Sequence, residues 1–118
     1  MNPVVMTVML VTKDGVPIDA VHLPPDERPE PAGEPASGQR DLALVIAHGF
    51  TMTWQRPMIW ELVRRFNRHA GVVTFDFRGH GRSGGLSTLG DREIMDLDVA
   101  VAWARQLGYR RIAAVGFS

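Results

Sequence analysis

The 118-residue sequence contains no cysteine, which removes disulfides, thiolate nucleophiles and cysteine-ligated zinc together. It has no net charge either, because 13 Lys and Arg offset 13 Asp and Glu. A chain so balanced has no overall field to collect nucleic acid or an anionic membrane, so neither is expected as a partner. The apolar start, VVMTVMLV, is too short to span a bilayer. It has no basic segment before it and meets Lys13 and Asp14 without a small-residue cleavage signal, so no secretory leader is expected. No pair of histidines or carboxylates sits at metal-ligand spacing on one predicted face. Neither a metal nor a cofactor is expected, and the expected location is the cytoplasm.

What is present is globular in character: 45% of residues are hydrophobic and 22% charged, ordinary values for a folded chain. The length suits one domain or part of a larger one. Residues 1–23 predict a hairpin, with strand-like MTVMLVT and PIDAVHL joined at a tight Asp14-Gly15 turn. Residues 24–41 are rich in proline, which denies a sheet its N–H donors and predicts an exposed loop.

Residues 42–118 alternate in period. LALVIAH reads as a strand buried on both faces. From Pro57, a helix places Ile59, Leu62, Val63 and Phe66 on one face and Arg64, Arg65 and Arg68 opposite, with Gly71 as its C-terminal cap. The strand VVTFDF follows, then the loop RGHGRSGGLSTLG. A second helix, opened by Asp91 and ended by Gly108, has Ile94, Leu97, Val101 and Ala104 as its inner stripe and Asp96 and Asp98 on a solvated face. RIAAVGF is the last apolar strand. The fold class is therefore α/β, an N-terminal β-hairpin followed by a βαβαβ parallel sheet. Ligands of such sheets sit at the carboxyl ends of the strands, where HGFTMTW, RGHGRSGG and GFS converge.

Two chemistries compete for those loops. Gly79, Gly81 and Gly84 satisfy G-x-G-x-x-G after a strand, the pattern of a dinucleotide-binding domain. In that pattern the helix opens within the glycines, whereas Gly85, Ser87 and Gly90 delay it here. The acidic residue expected about twenty positions on falls in mid-helix. The other reading takes the loops together. The hairpin ending VHLPP, then LALVIAHGF, DFRGHGRSGG, a helix containing Asp96-Leu97, and VGFS resemble, in that order, the N-terminal half of an α/β-hydrolase fold enzyme. The likeness covers nearly the whole chain outside the Pro-rich loop.

That resemblance implies a serine hydrolase cleaving carboxylic esters, with thioesters or amides as further candidates, through an acyl-enzyme on Ser118. Gly116, Phe117 and Ser118 match the first part of the G-x-S-x-G nucleophile elbow. Glycine at position 116 is expected to leave room where the elbow crowds its neighbours. The first oxyanion donor is the Phe50 backbone N–H, supported by His48 and Gly49. Asp76, Arg78, Gly79, His80, Gly81 and Ser83 fall in a structural loop, ordered through hydrogen bonds.

Plainer readings stand beside these. Ser118 alone is an ordinary serine. His48 invites a role as general base, but the family's base follows the serine in sequence, so bracing the oxyanion loop is expected. Asp76 is expected to be structural and not the acid. Met52, Trp54 and Met58 either shape an acyl pocket or pack the first helix. His22, on a strand edge, and His69, on a helix end, carry no signal. The family order, serine, then acid, then histidine, leaves both partners beyond Ser118. The sequence is thus expected to be part of a longer domain, inactive alone and prone to pair or aggregate through an exposed sheet edge. A non-catalytic scaffold or binding protein that keeps the fold is the alternative.

Overall fold

A computed structural model describes residues 5–25, 41–49, 52–88 and 90–117. The elements are β1 (Met6–Val11), β2 (Pro17–Leu23), β3 (Leu42–Ala47), α1 (Pro57–Asn67), β4 (Gly71–Phe75), α2 (Glu93–Gln106) and β5 (Arg111–Gly116). They build a mixed α/β structure around a 5-stranded sheet of order β1-β2-β4-β3-β5. β1 pairs antiparallel with β2, and β2 antiparallel with β4. β3 lies between β4 and β5, parallel to both. The chain steps from β3 to β4 on one side, then returns past β3 to β5. Among the described residues no helix is long and apolar enough to cross a membrane.

Alternation along the strands divides the core between two faces. Ile18, Ala20, Ala43, Val45, Val73 and Phe75 meet Ala100, Trp103 and Ala104 of α2. Val21, Leu23, Ile46 and Val72 meet Ile59 and Val63 of α1. β4 is buried along its whole length, as a strand with neighbours on both edges and helices on both faces must be. β5 differs from the sequence expectation. Four of its positions, Arg111, Ala113, Ala114 and Gly116, are exposed, because among the described residues β3 is its one neighbouring strand.

Several local expectations shift. The hairpin turn is wider than a two-residue turn: Gly15 N–H donates to Thr12 O and Thr12 N–H to Val16 O, each at 2.9 Å. This is a turn with a bulge, whose twist suits the strands. α2 is opened by Thr88 and Glu93, not Asp91. The Glu93 carboxylate accepts from Thr88 N–H at 2.9 Å, from the Thr88 hydroxyl and from Gly90 N–H. The buried stripe of α2 is Asp96, Ala100, Trp103 and Ala104, while Ile94 is exposed. At the far end, Gly108 takes φ +98°. Its N–H donates to Arg105 O, and Tyr109 N–H to Ala104 O, the paired bonds that close a helix at a left-handed residue.

Tyr109 then reaches into the sheet. Its hydroxyl lies 2.6 Å from His22 Nε2, and Trp103 stands edge-on to the same ring. His22 is buried on an inner strand, which corrects its expected place at a strand edge. Gly71 does not cap α1. It opens β4, and a Cβ built on it falls 2.0 Å from Tyr109 Oη. The end of α1 is held by Asn67, whose amide donates to Pro24 O at 2.8 Å and Ala70 O at 3.2 Å.

Gly71→Ala is therefore expected to cost about 1–3 kcal/mol, the usual penalty of overpacking a filled core. Denaturant unfolding monitored by tryptophan fluorescence measures it. An unchanged midpoint would remove Tyr109 as the reason for glycine at this position.

Candidate active site

The carboxyl ends of β3 and β5 lie side by side. Ala47 is registered with Gly116, and Phe117 N–H donates to Ala47 O at 3.1 Å. His48-Gly49 and Phe117 therefore leave the sheet together. Phe50 and Ser118, the expected donor and nucleophile, lie outside the described residues. Among the described residues, a Cβ built at Gly116 meets nothing within 4 Å.

His48 is buried, with 3% of its surface exposed. Its Nδ1 lies 2.6 Å from Gly49 O, and its Nε2 lies 3.0 Å from Phe77 N. A carbonyl only accepts and an amide N–H only donates, so Nδ1 carries the proton and Nε2 accepts. Burial pushes the His48 pKa below its ordinary value, against the opposing pull of Gly49 O and of Asp76. Both ring nitrogens are thus engaged inside the protein. Gly49 O also accepts from Met52 N–H at 3.1 Å. The histidine joins the loop after β3 to the loop after β4.

Asp76 makes a second connection between the same loops. It is fully buried, accepting at Oδ1 from Trp54 N–H at 2.8 Å and at Oδ2 from the Thr53 hydroxyl at 2.9 Å. Gly81 packs against this carboxylate at φ +50°, and a Cβ there falls 1.9 Å from Asp76 Oδ2. Backbone conformation and space both require glycine. The Ser83 hydroxyl donates to Asp76 O at 2.5 Å and accepts from Asp19 N–H at 2.9 Å, which extends the β2–β4 ladder past its last paired residues.

Arg78 is buried between two acids. Its guanidinium donates to Asp14 Oδ2 at 2.7 Å and Oδ1 at 3.0 Å, and to Asp96 Oδ1 at 2.8 Å. Its backbone N–H donates to Asp96 Oδ2 at 2.9 Å. Asp96 is therefore not on a solvated face; it is 0% exposed. A sequence signal existed, since Asp96 stands four residues before Ala100 on the helix's buried stripe. Hydrogen bonds from Arg78, then from Thr12, hold the Asp14 carboxyl far below the usual range, while Asp14 and Asp96 hold Arg78 above its own.

The glycines of the competing dinucleotide pattern are filled by the protein itself. Added Cβ atoms meet Ser87 N at Gly79, Asp76 at Gly81 and Pro17 at Gly84, so packing within the protein accounts for glycine at each position. Of the three acyl-pocket candidates, Trp54 packs on Trp60 at 5.5 Å between ring centroids and donates its indole N–H to Asp19. Met58 is exposed. Met52 lines an open cleft of about 470 Å³ between the two loops, with Thr53, Arg56, Gly79, His80, Gly81 and Ser87. Thr53, Arg56 and Asp14 are the participants that sequence reasoning passed over. Among the described residues no group of His, Asp or Glu could hold a metal.

Asp96→Ala is expected to destabilise the protein by about 3–5 kcal/mol, because it removes the wholly buried one of the two acids that pair with the Arg78 guanidinium. Asp14 and His48 both have lowered pKa values, so at acid pH the unfolded chain binds protons that the native one refuses. Stability is expected to fall as pH drops below about 6.5 through His48, and more steeply below about 4 through Asp14. Unfolding free energies measured across this range check both limbs. Asp14→Asn should flatten the lower one; an identical slope in the variant counts against the assignment.

The same arrangement of strands and loops recurs in known proteins. The model of the alpha/beta hydrolase family matches residues 44–118. A search of curated proteins returned no match. Among solved structures, an esterase of Pyrococcus furiosus is 26% identical with a TM-score of 0.77, over 98% of this chain and 40% of its own. A serine hydrolase without a lid from Xanthomonas campestris is 23% identical with a TM-score of 0.76, over 97% of this chain and 50% of its own. Est1E of Butyrivibrio proteoclasticus, solved with ferulic acid bound, is 25% identical with a TM-score of 0.73, over 94% and 43%. The chain thus spans two fifths to one half of the length of these proteins. With the sheet order, the paired loops and the family match in agreement, the chain belongs to the alpha/beta hydrolase family.

Proposed function

We propose that the protein is an esterase-like serine hydrolase with Ser118 as its nucleophile. The observation that carries the reading is the parallel register of β3 and β5. Phe117 N–H on Ala47 O brings the chain just before Ser118 against the chain just before Phe50. Membership of the hydrolase family and the likeness to an esterase supply the chemistry.

In this reading Ser118 Oγ attacks the ester carbonyl carbon while its proton passes to a general base. The carbonyl oxygen becomes an oxyanion, stabilised by Phe50 N–H and by the N–H after the nucleophile. Collapse breaks the ester C–O bond, and the base returns the proton to the departing alcohol. Water then cleaves the acyl-enzyme by the same path. His48 does not serve as the base, because Nδ1 donates to Gly49 O and Nε2 accepts from Phe77 N–H. It fixes the loop that carries Phe50, and Asp76, Gly81 and Ser83 fix the loop beside it. The acid and base belong, in the family's order, after Ser118. Activity is accordingly a property of a protein that supplies them.

A fluorophosphonate probe tests the nucleophile on the protein expressed from its natural reading frame. Covalent labelling that disappears in Ser118→Ala is expected; a folded wild-type protein that takes no label sinks the hydrolase reading and leaves a non-catalytic scaffold. Residues 1–118 expressed alone are expected to show no ester turnover and to self-associate in size-exclusion chromatography, through the unpaired edge of β5.

A further inference from the structure

We infer that the cleft between the two loops receives a carboxylate, so that the substrate is an ester bearing a second, acidic group. This rests on the esterase reading and names its substrate class. The cleft, about 470 Å³, is large enough for a small-molecule substituent. Its titratable lining residues are Arg56 and His80, and no carboxylate lines it. Arg65, Arg78, Arg92 and Arg111 each face an acid. Arg56 pairs with none among the described residues, nor do Arg64, Arg68, Arg82, Arg105 and Arg110, and of these Arg56 is the one that lines the cleft, where it is exposed.

The nearest negative charge is already spent. The Asp76 carboxylate lies behind Thr53 and Gly81, fully buried, with Thr53 Oγ1 and Trp54 N–H on its two oxygens. Its field opposes that of Arg56 but offers an incoming anion no direct contact. A guanidinium presents a planar pair of donors that matches a carboxylate. One such charge suits a monoanion better than a phosphate dianion. Met52 and Thr53 line the cleft with Arg56, and they follow the Phe50 position by two and three residues in sequence, which ties the cleft to the loop that the esterase reading uses. Neutral esters offer Arg56 a carbonyl acceptor without charge, a weaker partner than a carboxylate, and preference for the acidic ester follows.

The test uses the protein expressed from its natural reading frame, with monoethyl succinate and its neutral analogue ethyl levulinate as substrates. The ratio of their kcat/KM values is expected to fall about fivefold or more in Arg56→Gln, and to keep its wild-type value in Arg64→Gln, a change on the exposed face of α1. The wild-type preference should also shrink as salt rises. An unaltered ratio in Arg56→Gln overturns the inference. Succinate itself, titrated against the amide NMR signals of Gly79 and Gly81, gives a readout free of turnover. If neither ester is cleaved and Ser118 takes no probe, the esterase reading has failed, and the titration still decides the cleft. Saturable binding weakened in Arg56→Gln upholds it, while equal binding in both proteins, or none in the wild type, removes it.

Discussion

The Arg78 side chain, held between Asp14 and Asp96, is the contact on which the arrangement of the candidate site depends. Those three residues come from the hairpin turn, the loop after β4 and the first turns of α2. Taking a guanidinium out of water is expensive, and it is tolerated only where acids and hydrogen bonds replace the lost hydration. Two carboxylates do so here, one of them wholly buried. Because an uncompensated charge is so costly, no partner can leave alone. The pairing therefore ties three distant segments to one another.

That fixed loop is what the remainder of the site leans on. Phe77 N–H holds the ring of His48, and Asp76 holds Thr53 and Trp54. The turn after β3 is consequently defined from β4 and not from its own strand. Electrostatics are arranged in layers: ion pairs at the hairpin side, a neutral histidine in the middle, and an open cleft with one exposed guanidinium beyond. The Arg56 guanidinium reaches solvent at that cleft.

The fold was largely legible in the sequence because its signals are local. The runs LALVIA and GVVTF are apolar at consecutive positions, as strands covered on both faces must be, and Pro57 and Gly108 mark helix ends by backbone chemistry. What escaped depends on contacts between distant residues. Asp96 reads as a surface acid until Arg78 is seen against it, eighteen positions earlier in sequence. Gly71 reads as a helix cap, and only the tertiary position of Tyr109 shows why a side chain is excluded. Thr53 carries no motif, yet its hydroxyl serves Asp76. Stripe positions on α2 slipped by about one residue, roughly a quarter turn, because Ile94 is apolar without being buried, and hydrophobicity alone cannot tell those apart.

The central position of β3 has a kinetic consequence. Its pairing with β4 closes a short loop across α1, but its pairing with β5 joins positions separated by most of the chain's length. Closing a longer loop costs more chain entropy and comes later in folding. The hairpin and the β3–α1–β4 unit are local enough to form early. The two strand ends that frame the candidate site meet only when the β3–β5 ladder forms, and that ladder closes the longest loop in the sheet.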